Sequence, residues 1–146
     1  MDVQRLLAEE EDAWRGLLGA FADVPADRSE EPTLTPEGWS AKDAMFHVGY
    51  WLEDCARVLA TIKDGSFDAD AEGALDVESI NGQGFARSRG MDVKSVRSML
   101  MAARERAREA FVDLDTVTRE AWAWFEESGP LHYRTHSRDL DAWLRG

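Results

Sequence analysis

The chain has 146 residues, which predicts one domain over residues 1–146 that can bury a core without disulfide bonds. Acidic residues outnumber basic ones by 29 to 17, and a net charge of −12 repels nucleic-acid phosphates and anionic lipid, so we expect no nucleic-acid or membrane partner. The single cysteine, Cys55, excludes an internal disulfide and fits a cytoplasmic protein. The amphipathic N-terminus predicts no signal peptide.

The first predicted helix covers Val3 to Phe21, where apolar residues recur at three- and four-residue steps. Glu10 fills a gap in this apolar stripe. We expect its carboxylate to lie at the edge of the stripe and to reach water. The alternative is an inward carboxylate that accepts a hydrogen bond from a histidine.

The second predicted helix begins at a capping box formed by Ser40 and Asp43 and runs to about Lys63. His47 lies on its apolar stripe, one turn after the helix start. Cys55 lies on the same stripe, where an inert core residue is the favoured interpretation over a nucleophile.

Residues 65–91 form a long link before the next helix. Residues 76–89 could form a short helix, but Gly82 and Gly84 weaken that prediction. A link of this length usually carries function or covers a site. Glu78, Asn81 and Arg87 are therefore noted, although single polar residues in such a link are more often structural or solvated than catalytic.

Asp92 is the predicted cap of a third helix over residues 93–114. Its apolar stripe predicts a core-facing side. Its opposite face includes Arg104 and Arg108 among mixed charges, and we expect that face to be solvated.

The last predicted helix covers Leu131–Leu144 and carries two of the chain's three histidines. His132 and His136 are four residues apart and thus lie on one helix face, one turn apart. A short helical turn from Thr118 is possible before this helix. The alternative for the helix itself is an earlier start with a bend at Gly129–Pro130.

All three histidines fall on stripes that are predicted to face the core. Histidines four apart occur by chance, and any one of the three alone would more often be a hydrogen-bonded core residue. Burying three imidazoles without partners would cost a few kcal/mol. A shared divalent cation such as zinc would satisfy all three, so we predict a metal site at His47, His132 and His136.

Two motifs carry a resemblance to a known family. The first is Trp39-Ser40-Ala41-Lys42-Asp43 followed by His47, at the start of the second helix. The second is His132-Tyr133-Arg134-Thr135-His136, followed by Asp139-Leu140 and Trp143-Leu144. The chain resembles the DinB-like superfamily, which includes YfiT-like metal-dependent hydrolases, and most of all its ClbS/DfsB-like branch, which includes the colibactin self-protection protein.

The resemblance implies an all-α fold, an antiparallel four-helix bundle of the DinB/YfiT type with a long link between its second and third helices. It implies that His47, His132 and His136 bind nickel, zinc or iron with water in an open position. The related N-terminal domain of mycothiol-dependent maleylpyruvate isomerase has a glutamate where this chain has His132, so the same isomerase chemistry is not expected. Dimerisation is common in the superfamily, which makes a homodimer an open alternative.

The first functional hypothesis is a metal-dependent thiol S-transferase or hydrolase that acts on a small molecule. Because Cys55 is interpreted as structural, the thiol would come from a low-molecular-weight compound such as mycothiol or bacillithiol. Tyr133 and Glu10 are candidate proton-handling groups.

The second hypothesis is a non-catalytic binding or self-protection protein with a structural or vestigial metal. Its ligand would be a small electrophile or hydrophobic toxin, held in a pocket lined by Trp39, Trp51 and Trp122. The third is a structural bundle that dimerises through its aromatic helices. The metal content of histidine variants and solvent exchange at the metal would separate these hypotheses.

Overall fold

The computed structural model describes residues 1–146 as helices joined by loops, with no strand. The longest loop, residues 23–40, contains one 3₁₀ turn, Ala26–Arg28. The helices are α1 (Val3–Ala22), α2 (Ala41–Asp64), α3 (Ala69–Gly73), α4 (Val77–Arg89), α5 (Val93–Val112), α6 (Arg119–Glu126) and α7 (His132–Arg145). The predicted all-α class is confirmed. None of these helices is long and apolar enough to span a membrane.

Short polar side chains cap the helices at the places that the sequence predicts. The Ser40 side chain accepts from the backbone N–H of Asp43, while the Asp43 carboxylate accepts from the backbone N–H of Ser40. Asp92 and Thr118 accept in the same way at the starts of α5 and α6. Each cap satisfies donors that the first helical turn leaves free. Gly65 ends α2 with φ +82°, a left-handed conformation that glycine adopts without strain.

The link between α2 and α5 is more regular than predicted, because α3 and α4 occupy most of it. The glycines of α4 weaken a helix in isolation, but Gly84 lies where α4 crosses α2. A Cβ atom on Gly84 would come within 3.2 Å of the Phe46 ring. Glycine thus permits the close packing of α4 on α2, and this tertiary contact outweighs the low helix propensity.

The last helix follows the bent alternative. α6 continues into α7 through a wider, π-type turn, Glu127–Leu131, in which Gly129 has non-helical dihedral angles, φ −98° and ψ −108°. Pro130 removes one backbone donor at this point and favours a bend. Because of this bend, α6 and α7 point in different directions. The second of them, α7, carries both histidines of the second motif.

Two helix pairs, α2 with α5 and α1 with α7, make the most extensive packing. The apolar stripes predicted for these helices meet in one core, in which Leu17, Val48, Leu100 and Leu140 are fully buried. Burying each such side chain is worth about 1.5–3 kcal/mol. This core holds α2 against α7 at the level of the histidines.

Candidate metal centre

The histidine triad, His47, His132 and His136, lies where α2 faces α7. The Nε2 atom of His132 is 3.0 Å from Nε2 of His47 and 3.0 Å from Nε2 of His136. One ligand atom from each residue lies within 4.8 Å of the others. The predicted convergence of the three histidines is confirmed, and the triad could hold a metal ion.

Hydrogen bonds among the three rings cannot satisfy all of the ring nitrogens that meet here. A neutral imidazole has one N–H donor and one nitrogen acceptor. Nε2 of His132 faces two other nitrogens and can form a good hydrogen bond with only one of them. A central cation would instead accept a lone pair from each ring. Two metal–nitrogen bonds of about 2.1 Å span at most about 4.2 Å, so both 3.0 Å separations fit.

The electrostatic environment keeps the rings neutral at pH 7. Burial lowers the pKa of His47 to about 4, with a further lowering by His136. Burial and the other two histidines lower the pKa of His132 to about 3. Burial also lowers the pKa of His136, against the opposing effect of Asp139. Neutral rings keep the lone pairs that a metal requires.

Polar groups outside the triad lie beside two of the rings. Trp51 Nε1 donates to Asn81 Oδ1 at 2.9 Å, and the Asn81 side chain acts on His47 to raise its pKa. Asp139 Oδ2 lies 3.8 Å from Nδ1 of His136. Such outer contacts orient metal-binding histidines and select their tautomers. The sequence assigns no role to Asn81, because its contact with Trp51 of α2 joins residues that are far apart in the chain.

The third ring has a different outer environment. Nδ1 of His132 is buried and has no hydrogen-bond partner. The Ser128 backbone acts on the same ring in the direction that raises its pKa, but burial dominates. An unpartnered nitrogen on one side of the ring and two crowded nitrogens on the other indicate that hydrogen bonding alone does not account for this histidine.

A cleft of only about 10 Å³ lies at His47, and two sizeable cavities border the triad. The larger, here called the triad cavity, has a volume of about 750 Å³ and reaches His47 and His136. The residues that matter for its chemistry are Glu37, Trp39, Glu78, Asn81, Phe85 and Asp139. A smaller cavity of about 280 Å³ reaches His47 and His132 beside Trp51. The triad cavity is within the size range of small-molecule sites.

Only part of the tryptophan pocket proposed from the sequence is found at this place. Trp39 lines the triad cavity and Trp51 lines the smaller one. Trp122 packs against the hydrophobic core.

Glu10 belongs to a separate buried ion cluster, so the prediction that its carboxylate reaches water is wrong. Its side chain is 1% exposed and accepts from Arg104 at 2.7 and 2.9 Å and from Arg108 at 2.6 Å. The Tyr133 hydroxyl lies 3.4 Å from the same carboxylate. The solvated face predicted for the third helix is confirmed at Glu105 and Glu109, which are exposed, but it is wrong for Arg104, whose side chain is only 14% exposed. The sequence did contain a signal for this pairing, because a carboxylate inside an apolar stripe is buried and therefore requires a cationic partner.

Tyr133 lies on the side of α7 that faces α1, against Trp14 and Glu10. Burial, followed by the charge of Glu10, raises the pKa of the Tyr133 hydroxyl well above its ordinary value. The two groups considered for proton handling thus contact each other within the ion cluster. The triad cavity contains other polar groups, namely Glu37, Glu78 and Asp139.

Cys55 is a buried core residue, as predicted. Burial raises the pKa of its thiol to about 12, and Sγ donates weakly to the Trp124 carbonyl at 3.6 Å. A thiol in this state is a poor nucleophile at neutral pH.

Comparison with known proteins gives no match to any family model, and no significant match to any curated protein or solved structure.

Proposed function

We propose that His47, His132 and His136 bind one divalent metal ion, and that the chain is a DinB-like, metal-dependent hydrolase or thiol S-transferase of a small molecule. The observation that supports this most directly is the pair of 3.0 Å nitrogen separations, together with the position of His47 and His136 in the wall of a cavity large enough for a substrate. Imidazole ligands suit nickel, zinc and iron, which are the candidate metals.

Three protein ligands would leave part of the coordination sphere open toward the cavities, which is the pattern of catalytic sites. A bound divalent ion would lower the pKa of a water or thiol and would polarise a substrate carbonyl. The chain itself contributes positioning: Asn81 and Asp139 orient His47 and His136. Trp39, whose ring lies edge-on to His47 at a centroid distance of 4.9 Å, excludes water from one side. Because Cys55 is buried, a transferase would use a low-molecular-weight thiol.

We also propose the antiparallel four-helix bundle of the DinB type, with α1, α2, α5 and α7 as its helices. The support is the pairing of α2 with α5 and of α1 with α7. In this arrangement α3 and α4 belong to the long link, and α6 is the bent beginning of the last helix. A homodimer stays a prediction, which analytical ultracentrifugation would test.

The test of the metal site is metal analysis of protein purified without a histidine tag, together with His47→Ala and His136→Ala. We expect about one equivalent of metal in the natural protein and loss of metal in both variants, because two ligands hold a divalent ion much more weakly than three. Thr135→Ala, on the exposed side of α7, is the matched control and should keep its metal. Full metal content in either histidine variant, with helical content unchanged by circular dichroism, would refute the site.

One observation favours the second candidate, a non-catalytic binding or self-protection protein. Tyr133 and Glu10, the proton-handling groups expected from the sequence, are occupied in the ion cluster and not at the triad. Metal-loaded protein that binds small aromatic molecules, but turns over neither activated esters and amides nor thiols with electrophiles, would support this candidate over an enzyme.

A further inference from the structure

The triad cavity has a one-sided charge. Three carboxylates line it: Glu37 from the loop before α2, Glu78 from α4 and Asp139 from α7. No lysine or arginine is among its lining residues. Three acids from separate parts of the chain therefore face one space, and none of them forms an ion pair with a lysine or arginine.

The apolar part of the same cavity is aromatic. The rings of Trp39 and Phe85 lie nearly parallel, with an interplanar angle of 17° and a centroid distance of 6.3 Å. Aromatic faces attract cations through the negative potential above the ring. Phe85 already interacts with one cation, since the Arg89 guanidinium lies 4.4 Å from its centroid, but Arg89 does not line the cavity.

These two features together indicate the charge of the ligand. The three carboxylates together carry more negative charge than one divalent ion carries positive charge, and the neutral histidines add none. The cavity therefore stays negative even with the metal bound. The net charge of −12 acts in the same direction at longer range. An anionic substrate would be repelled by the walls, whereas an ammonium group would find both carboxylates and aromatic faces.

We propose that the triad cavity selects small molecules that carry a cationic amine next to an apolar or aromatic body. The amine lies near Glu37 and Glu78, the body packs on Trp39 and Phe85, and the opposite end of the molecule points to the histidines, beside which Asp139 lies. This inference rests on the proposed function only for the reaction at that opposite end. Selection of the amine depends on the cavity walls.

The test uses three probes of similar size: 2-phenylethylamine, which is a cation, 2-phenylethanol, which is neutral, and phenylacetate, which is an anion. Their dissociation constants are measured by calorimetry and by quenching of tryptophan fluorescence, at low ionic strength, in metal-loaded and metal-free protein. We expect the amine to bind most tightly and phenylacetate most weakly in both forms of the protein.

The variant for this test is the double substitution Glu37→Gln/Glu78→Gln, which leaves Asp139 and the histidines unchanged. Exposed charge pairs of this kind are worth about two- to five-fold in affinity each, so the double variant should lose roughly 4- to 25-fold for the amine and gain affinity for phenylacetate. Glu105→Gln is the matched control, because Glu105 is an exposed acid on α5 that does not line the triad cavity. It should leave all three constants unchanged.

Equal binding of phenylacetate and the amine by the natural protein would overturn the inference. Unchanged amine affinity in the double variant, an equal loss in Glu105→Gln, or no measurable binding of any probe at millimolar concentration would also overturn it. Metal content is determined in every sample, so the two proposals fail separately. Absence of metal with a retained amine preference refutes the proposed function alone, while bound metal without the preference refutes the charge selection alone.

Discussion

Replacing Glu10 with glutamine tests the buried ion cluster that joins α1 to α5 and α7. The amide keeps the shape of the side chain and one accepting oxygen but removes the negative charge. Arg104 would then hold its charge beside a neutral group, with a side chain that is only 14% exposed. Breaking a buried pair by neutralising one partner typically costs about 3–5 kcal/mol.

The structure places the expected loss near the lower end of that range. Arg108 is 32% exposed and can turn toward water when Glu10 is neutral. Arg104 keeps a second carboxylate partner, Glu11, at 2.5 Å. We therefore expect Glu10→Gln to lower the free energy of unfolding by about 3 kcal/mol, which corresponds to a fall in Tm of roughly 6–12 °C for a chain of this length.

The assay is urea unfolding at pH 7, followed by circular dichroism, with Glu11→Gln as the matched control. Glu11 contacts the same arginine, but its side chain is 38% exposed, so its loss should cost at most about 1 kcal/mol. Metal content should stay unchanged in both variants, because the cluster and the triad are separate. Equal destabilisation by the two substitutions, or a loss below about 0.5 kcal/mol for Glu10→Gln, would refute a buried, charge-paired Glu10.

Three further outcomes follow from the site. Asn81→Leu should weaken metal binding about 10- to 100-fold in a competitive chelator titration, because it removes the polar group that orients His47; an unchanged affinity would contradict this role. Cys55 should resist iodoacetamide at pH 8 in the folded protein and react after unfolding in urea, because its thiol pKa is about 12; rapid alkylation of the folded protein would show the thiol to be accessible. In metal-free protein, His47 and His132 have pKa values of about 4 and 3 against 6.5 for the free side chain, so the unfolded state binds more protons between these values. The free energy of unfolding should therefore fall as the pH drops from 6.5 toward 4, and His132→Gln should show a smaller slope in urea titrations across this range.

Local chemistry explains which parts of the structure the sequence predicted well. The caps at Ser40, Asp92 and Thr118 depend on a side chain and a backbone group three residues away, so the residue order alone indicates where each helix begins. The shared face of His132 and His136 follows equally from helix geometry. The apolar stripe that contains His47 identified the third member of the triad, because burial of an imidazole calls for a partner.

Tertiary packing decided the features that the sequence left open or predicted wrongly. The helix α4 packs closely on α2 because Gly84 allows a close approach to Phe46, a contact that no local propensity can indicate. Glu10 is buried because its two arginines come from a helix more than 90 residues later, and the charge pattern of that helix by itself suggested a solvated face.

The sequence by itself thus determined the long helices α1, α2, α5 and α7, the caps of α2 and α5, and the three histidines that could share a cation. These properties depend on neighbours within about one helical turn. Only the tertiary structure decided that the nitrogens of His47 and His132 approach to 3.0 Å, that Asn81 lines the same cavity as His47, and that three carboxylates face that cavity. Those arrangements depend on how α2, α4 and α7 cross, and the crossing is set by the shapes of the packed side chains, which residue order does not express.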